Sequence, residues 1–85
     1  MKILRISAFW CPACLIMRPI YDKIATDLNL ETEELDYDMD EEAVAKLNVG
    51  SILPVAIIYD NNQELLRICG EKKYDHIKKM IEGLK

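Results

Sequence analysis

Hydrophobic positions fall into two rhythms along this chain, and the switches between them mark its elements. Residues 2–8 (KILRISA) carry β-branched positions in a short run and read as a strand. From Pro12 to about Asn29, Ile16, Ile20, Ile24 and Leu28 recur at every fourth position with Ala25 beside them, which predicts one apolar helix face. Pro12 suits a helix start, where no amide hydrogen is needed. Pro19 falls inside the pattern and is expected to kink the helix. Thr32–Asp38 alternates weakly through Leu35 and Tyr37 and reads as a second strand. Asp38 and Glu41 have capping-box spacing for a short helix over Glu41–Leu47, closed by Asn48-Val49-Gly50-Ser51. Val55–Tyr59 (VAIIY) is continuously apolar, as suits a strand buried on both faces. Asp60-Asn61-Asn62-Gln63 reads as a turn, since Asn and Asp tolerate left-handed backbone, and Glu64–Cys69 returns as the second strand of a hairpin. After Gly70, Tyr74, Ile77, Ile81 and Leu84 share one face of a last helix, with Lys78, Lys79 and Glu82 largely on the other. The order is β-α-β-α-β-β-α, an α/β chain whose first β-α-β is expected to be a right-handed parallel crossover.

Length makes this one domain over residues 1–85, with room for one modest core. A net charge of −4 argues against nucleic acid or an anionic membrane as the main partner. The acids gather in Glu31–Glu42 and suit a solvated face guarding an edge strand. No apolar run has the length of a membrane span, and Met1-Lys2-Ile3-Leu4-Arg5 does not open a signal peptide. The chain is therefore expected in a reducing cytoplasm, as a monomer. Three cysteines make a poor disulfide framework there, where a Cys-x-x-Cys pair is more often catalytic or metal-binding.

Cys11-Pro12-Ala13-Cys14 lies where the first strand ends and the first helix begins. The first helical amides lack intrahelical acceptors, and the helix dipole favours negative charge, so a thiolate is stabilised at this position. The spacing sets the second sulfur one turn inward. Cys11 is expected to be exposed and nucleophilic; Cys14 is expected to be more buried and to resolve a mixed disulfide. A zinc site would need four ligands, and beyond this pair only Cys69 and His76 remain, far off and not paired. His76 sits on the polar side of its helix, and Met17 and Met80 read as core filler. Cys69 reads as a small buried hydrophobe, with a third redox thiol as the alternative.

Phe9-Trp10-Cys11-Pro12-Ala13-Cys14 resembles the Trp-Cys-x-x-Cys active site of thioredoxins. The likeness continues through Pro19-Ile20-Tyr21-Asp22-Lys23-Ile24-Ala25, where thioredoxins also carry a proline and an amphipathic run. It extends to Leu35-Asp36-Tyr37-Asp38, to Val49-Gly50-Ser51-Ile52-Leu53-Pro54, and to the hairpin with Gly70. The resemblance implies a thioredoxin-like fold: a four-stranded mixed sheet in the order 2-1-3-4, covered by helices on both faces. It implies a thiol–disulfide oxidoreductase working through Cys11 and Cys14, with no bound cofactor because the sulfurs carry the electrons. It further implies a cis-proline at Pro54, against an ordinary trans turn. The Leu53 backbone would then pair with a substrate peptide, and Trp10 and Gly70 would border the docking groove. For Trp10 a partly buried core aromatic is the alternative. The implied partners are disulfide-containing proteins and a reductase or dithiol donor.

Three departures stand out. The N-terminal strand and helix of thioredoxins are missing, so the size is nearer a glutaredoxin. Ile52-Leu53 carries one more residue before the proline than the usual pattern. Thioredoxins bury an acid six residues before the first cysteine; here that place is Arg5, expected to reach solvent or a carboxylate. An arginine cannot act as a base but can stabilise thiolate, which predicts a couple nearer about −200 to −230 mV than that of thioredoxins. A glutathione-linked, glutaredoxin-like protein remains an alternative, favoured by Cys-Pro-x-Cys and opposed by Trp10. A non-catalytic binding module or metal scaffold on the same fold is another.

Overall fold

Lys2–Ser7 forms β1, and its alternation decides what each sheet face buries. Ile3 points to one side; Leu4 and Ile6 point to the other. The computed structural model describes residues 1–50 and 52–84, so Ser51 of the expected closing turn lies outside the described residues. The remaining elements are α1 (Pro12–Asp27), β2 (Glu31–Asp36), α2 (Glu41–Lys46), β3 (Val55–Asp60), β4 (Gln63–Cys69) and α3 (Tyr74–Glu82). The sheet runs β2-β1-β3-β4, with β1 and β2 parallel and the other pairs antiparallel. Element order, strand order and strand sense all agree with the expectation from sequence.

On one face α1 and α3 pack over Ile3, Ala56, Ile58 and Ile68 through Met17, Tyr21, Ile24, Ile77 and Ile81. On the other, Val44 of α2 joins Leu4, Ile6, Val55 and Ile57, together with both cysteines of the dithiol. Val55, Ala56, Ile57 and Ile58 are buried, as a continuously apolar central strand requires. Turn chemistry sets the joints. Asn29 is left-handed after α1, and the Leu30 and Asn29 amides close a Schellman pair onto Ala25 and Thr26 carbonyls. Asn61 and Asn62 both have positive φ, the geometry of a two-residue hairpin turn.

Two element-level expectations are corrected. Ile16 does not belong to the buried face of α1; it is exposed, and the buried row is Cys14, Met17, Tyr21, Ile24 and Ala25. A strict four-residue repeat drifts about 40° per step around a helix of 3.6 residues per turn, so Ile16 lies about 80° from Ile24. Asp38 does not cap α2 either: the N-cap is Asp40, without a side-chain capping bond. The Asp40 carboxylate instead accepts the Asp36 amide, and Asp36 accepts the amides of Asp38 and Met39, tying the loop into a compact turn.

Candidate active site

The loop from Ala8 to Trp10 delivers Cys11 to the N-cap of α1, where the Cys11 amide donates to the Ala8 carbonyl at 3.1 Å. The Cys11 backbone is extended, Pro12 takes the first helical position, and the Cys14 amide donates to Cys11 Sγ at 3.3 Å. Cys11 is therefore the helix cap, its sulfur filling the acceptor role that a Ser or Asp oxygen normally holds. The expected difference in exposure is corrected: Cys11 is 6% and Cys14 5% accessible, because both pack into the core cluster on the α2 face. What separates them is bonding. Burial, with the thiol's hydrogen bond to Cys11, pushes the Cys14 pKa up to about 11, while a backbone hydrogen bond at Ala8 and the Arg18 charge act the other way.

Pro54 follows a cis peptide bond at Leu53, as expected, and lines a small cavity together with Cys14. Leu53 is buried in the cluster that holds both cysteines, and its backbone enters no inter-element backbone hydrogen bond among the described residues. The Gly70 amide donates to the Pro54 carbonyl at 2.9 Å, and Gly70 has φ +76°, where a Cβ would meet Ile52 Cγ2 at 3.3 Å. Trp10 is 52% accessible, which removes the core-aromatic alternative. Its indole donates to Asp38 Oδ2 at 2.6 Å and its ring stands edge-on to Tyr37 at 6.2 Å. This is the role the capping reading of Asp38 missed; a carboxylate's partner across a loop leaves no periodic trace in sequence. Phe9, Leu15, Ile16 and Ile52 are exposed apolar side chains on the segments that carry the dithiol and the cis-proline. Exposed apolar side chains this near a dithiol suit a site that meets another molecule.

Cys69 is exposed rather than buried, a further correction. It closes β4 opposite Val55 at the sheet's edge strand, where one side of the strand has no neighbour. Arg5 reaches carboxylates, as expected: its side chain is 13% accessible and is held by Asp22 at 2.8 Å and Glu34 at 3.6 Å. Arg18 grips the same Glu34 at 3.0 Å. Among the described residues, no three His, Cys, Asp or Glu side chains converge as a metal-holding group. No described helix is long and apolar enough to cross a membrane.

Comparison with known proteins points one way. A thioredoxin of Mycobacterium tuberculosis is 34% identical over 67 residues, covering 76% of this chain and 57% of that protein. The chain thus spans little more than half the length of its mycobacterial relative. A thioredoxin of Staphylococcus aureus is 26% identical over 77 residues, covering 88% of this chain and 73% of that one. The structure of thioredoxin 1 from Thermosipho africanus superposes with a TM-score of 0.82 at 25% identity, covering 99% of this chain and 93% of that one. The Thioredoxin family model matches residues 1–83. By its fold, its dithiol at a helix start and this near full-length match, the chain belongs to the thioredoxin family.

Proposed function

We propose that this chain is a thiol–disulfide oxidoreductase that reduces protein disulfides, with Cys11 attacking and Cys14 resolving. The observation that carries the reading is the sulfur at the N-cap, receiving the Cys14 amide and facing the positive end of a 16-residue helix. The Cys11 thiolate attacks one sulfur of a substrate disulfide, forming a mixed disulfide and expelling one substrate thiolate. Cys14, as thiolate, then attacks Cys11 Sγ; the Cys11–Cys14 bond forms and the second substrate thiolate leaves. A reductase or another dithiol returns the pair to its reduced state.

Trp10, Leu53, Pro54 and Gly70 form the docking edge in this reading. An extended peptide adds its backbone to Leu53 while exposed apolar residues beside the dithiol take its side chains. In this reading residues 1–85 work as one domain, as a monomer and in the reducing cytoplasm. The test is turnover: dithiothreitol-driven reduction of insulin disulfides, with and without the protein. Acceleration lost on Cys11→Ser supports the reading. No acceleration by the intact, folded protein refutes it, and turnover driven only by glutathione would assign it to glutaredoxin-like chemistry.

A further inference from the structure

Two buried polar atoms among the described residues lack a hydrogen-bond partner, Arg5 Nε and the Tyr21 hydroxyl, and both belong to one place. Arg5, Tyr21 and Cys14 line the same cavity of about 10 Å³, closed by Ser7, Met17 and Pro54 and bordered by Arg18 and Glu34. Tyr21 is 1% accessible. Cys14, Met17 and Tyr21 occupy successive turns of one helix face, and helical side chains lean toward the N-terminus. The phenol and the thiol thus share that cavity's lining. Arg5 spends its terminal nitrogens on Asp22, Glu34 and the Arg18 carbonyl, which leaves Nε–H over for the cavity.

Both atoms are donors. Burial pushes the Tyr21 pKa far up, so the phenol keeps its proton, and an arginine never gives its own up in a protein. An unengaged donor buried beside a thiol costs stability while the thiol is neutral and repays it when the sulfur becomes an anion.

We propose that Tyr21 and Arg5 form a donor-lined cavity that holds the negative charge on Cys14 when this residue ionises to resolve the mixed disulfide. The inference rests on the oxidoreductase reading above and names the residues that serve its second step. Cys14 gives its proton to solvent water, its sulfur displaces substrate from Cys11 Sγ, and the departing substrate thiolate takes up a proton, so charge balances. The substrate disulfide gains two electrons and the cysteine pair loses them. The charged and titratable groups around Cys14 are Cys11 at the N-cap and Arg18 of α1, with Arg5 of β1, Glu34 of β2 and Tyr21 sharing the cavity it lines. Cys11 opposes ionisation as a thiol partner, but in the mixed disulfide it has neither proton nor charge.

The experiment uses a chromogenic aryl disulfide, dithiobis(nitrobenzoate), with the Cys69→Ala protein so that the exposed third thiol stays silent. The first release of thionitrobenzoate reads the Cys11 attack; the second reads the Cys14 attack. Tyr21→Phe is expected to move the pH midpoint of the second release up by about one unit, about tenfold less thiolate at any pH below it. The first release should be unchanged. Arg5→Lys, which keeps the charge but removes Nε–H, should shift the second release in the same direction. Unchanged second releases in both variants, or first and second releases slowed equally, overturn the inference. A parent protein that gives no second release overturns the oxidoreductase reading instead. Should Tyr21→Phe fail to fold, Arg5→Lys alone decides.

Discussion

Replacing Tyr21 by Phe should make the reduced protein more stable. The ring is buried among Met17, Ile24 and the α3 isoleucines, so Phe retains its apolar packing. Only the hydroxyl goes, and it has no hydrogen-bond partner among the described residues. Burying an unsatisfied hydroxyl costs about 1–3 kcal/mol. The gap left by one oxygen, of order 10 Å³, costs roughly 0.2 kcal/mol at about 24 cal/mol per Å³. The balance favours Phe by about 1 kcal/mol or more. Unfolding entropy of about 2.1 cal/mol/K per residue over 85 residues gives roughly 0.18 kcal/mol/K, so Tm should rise by about 5 °C. Thermal and urea unfolding of the reduced protein, followed by circular dichroism, measure this, with the urea m-value expected to stay constant. A Tm lowered by a similar amount would mean that the hydroxyl is bonded in the folded state, and the reasoning about orphaned donors fails. With the slower second step expected of the same variant, the gain is a trade of activity for stability.

Asp38→Ala removes the acceptor of the Trp10 indole and should weaken protein-substrate binding, raising KM several-fold with little change in kcat; an unchanged KM counts against a docking role for this pair. The Cys14 pKa lies above its ordinary value of 9.0, at about 11, so the thiol's contribution to stability is full below pH 9.0 and is lost as pH rises through about 11. Reduced protein should therefore lose stability over that window more steeply than Cys14→Ala, and identical pH profiles in denaturant titrations contradict it. Ile77→Ala, at a fully buried position joining α3 to the sheet, should cost about 2–5 kcal/mol, much of what a domain of this size has; a cost under about 1 kcal/mol would show that α3 is not docked as described.

The central strand and the α3 face were legible because period and burial coincide there: VAIIY is buried, and Ile77 and Ile81 face inward, while the strand order came from the family resemblance. Asn61-Asn62 announced its turn through residues that tolerate left-handed backbone. Cys11 and Cys14 were legible through spacing at a strand-to-helix joint. Where sequence reading failed, a local rule met a geometry or a contact that the rule does not contain. Ile16 fits a four-residue repeat, but that repeat drifts around the helix and leaves Ile16 exposed. Asp38 has capping spacing, yet its carboxylate meets an indole 28 positions earlier. Cys69 has the chemistry of a buried residue but sits on an edge strand with open space beside it. Cys11 is shielded because the cap geometry that orients its sulfur also folds it against the core. For Arg5 a carboxylate partner was expected and found, but its position on β1 says nothing of which ones: Asp22 and Glu34 come from two other elements.

The division of labour between the two sulfurs is the central claim, and trapping tests it most directly. Cys14→Ser and Cys11→Ser variants, each also carrying Cys69→Ala, are incubated with an oxidised protein substrate and resolved on non-reducing gels. Cys14→Ser should accumulate a mixed disulfide through Cys11, because the attacking sulfur keeps its place at the helix end and nothing displaces the substrate. Cys11→Ser should accumulate little or none, since the remaining thiol is buried, and burial favours its protonated form. Trapping by Cys11→Ser in place of Cys14→Ser would contradict the account.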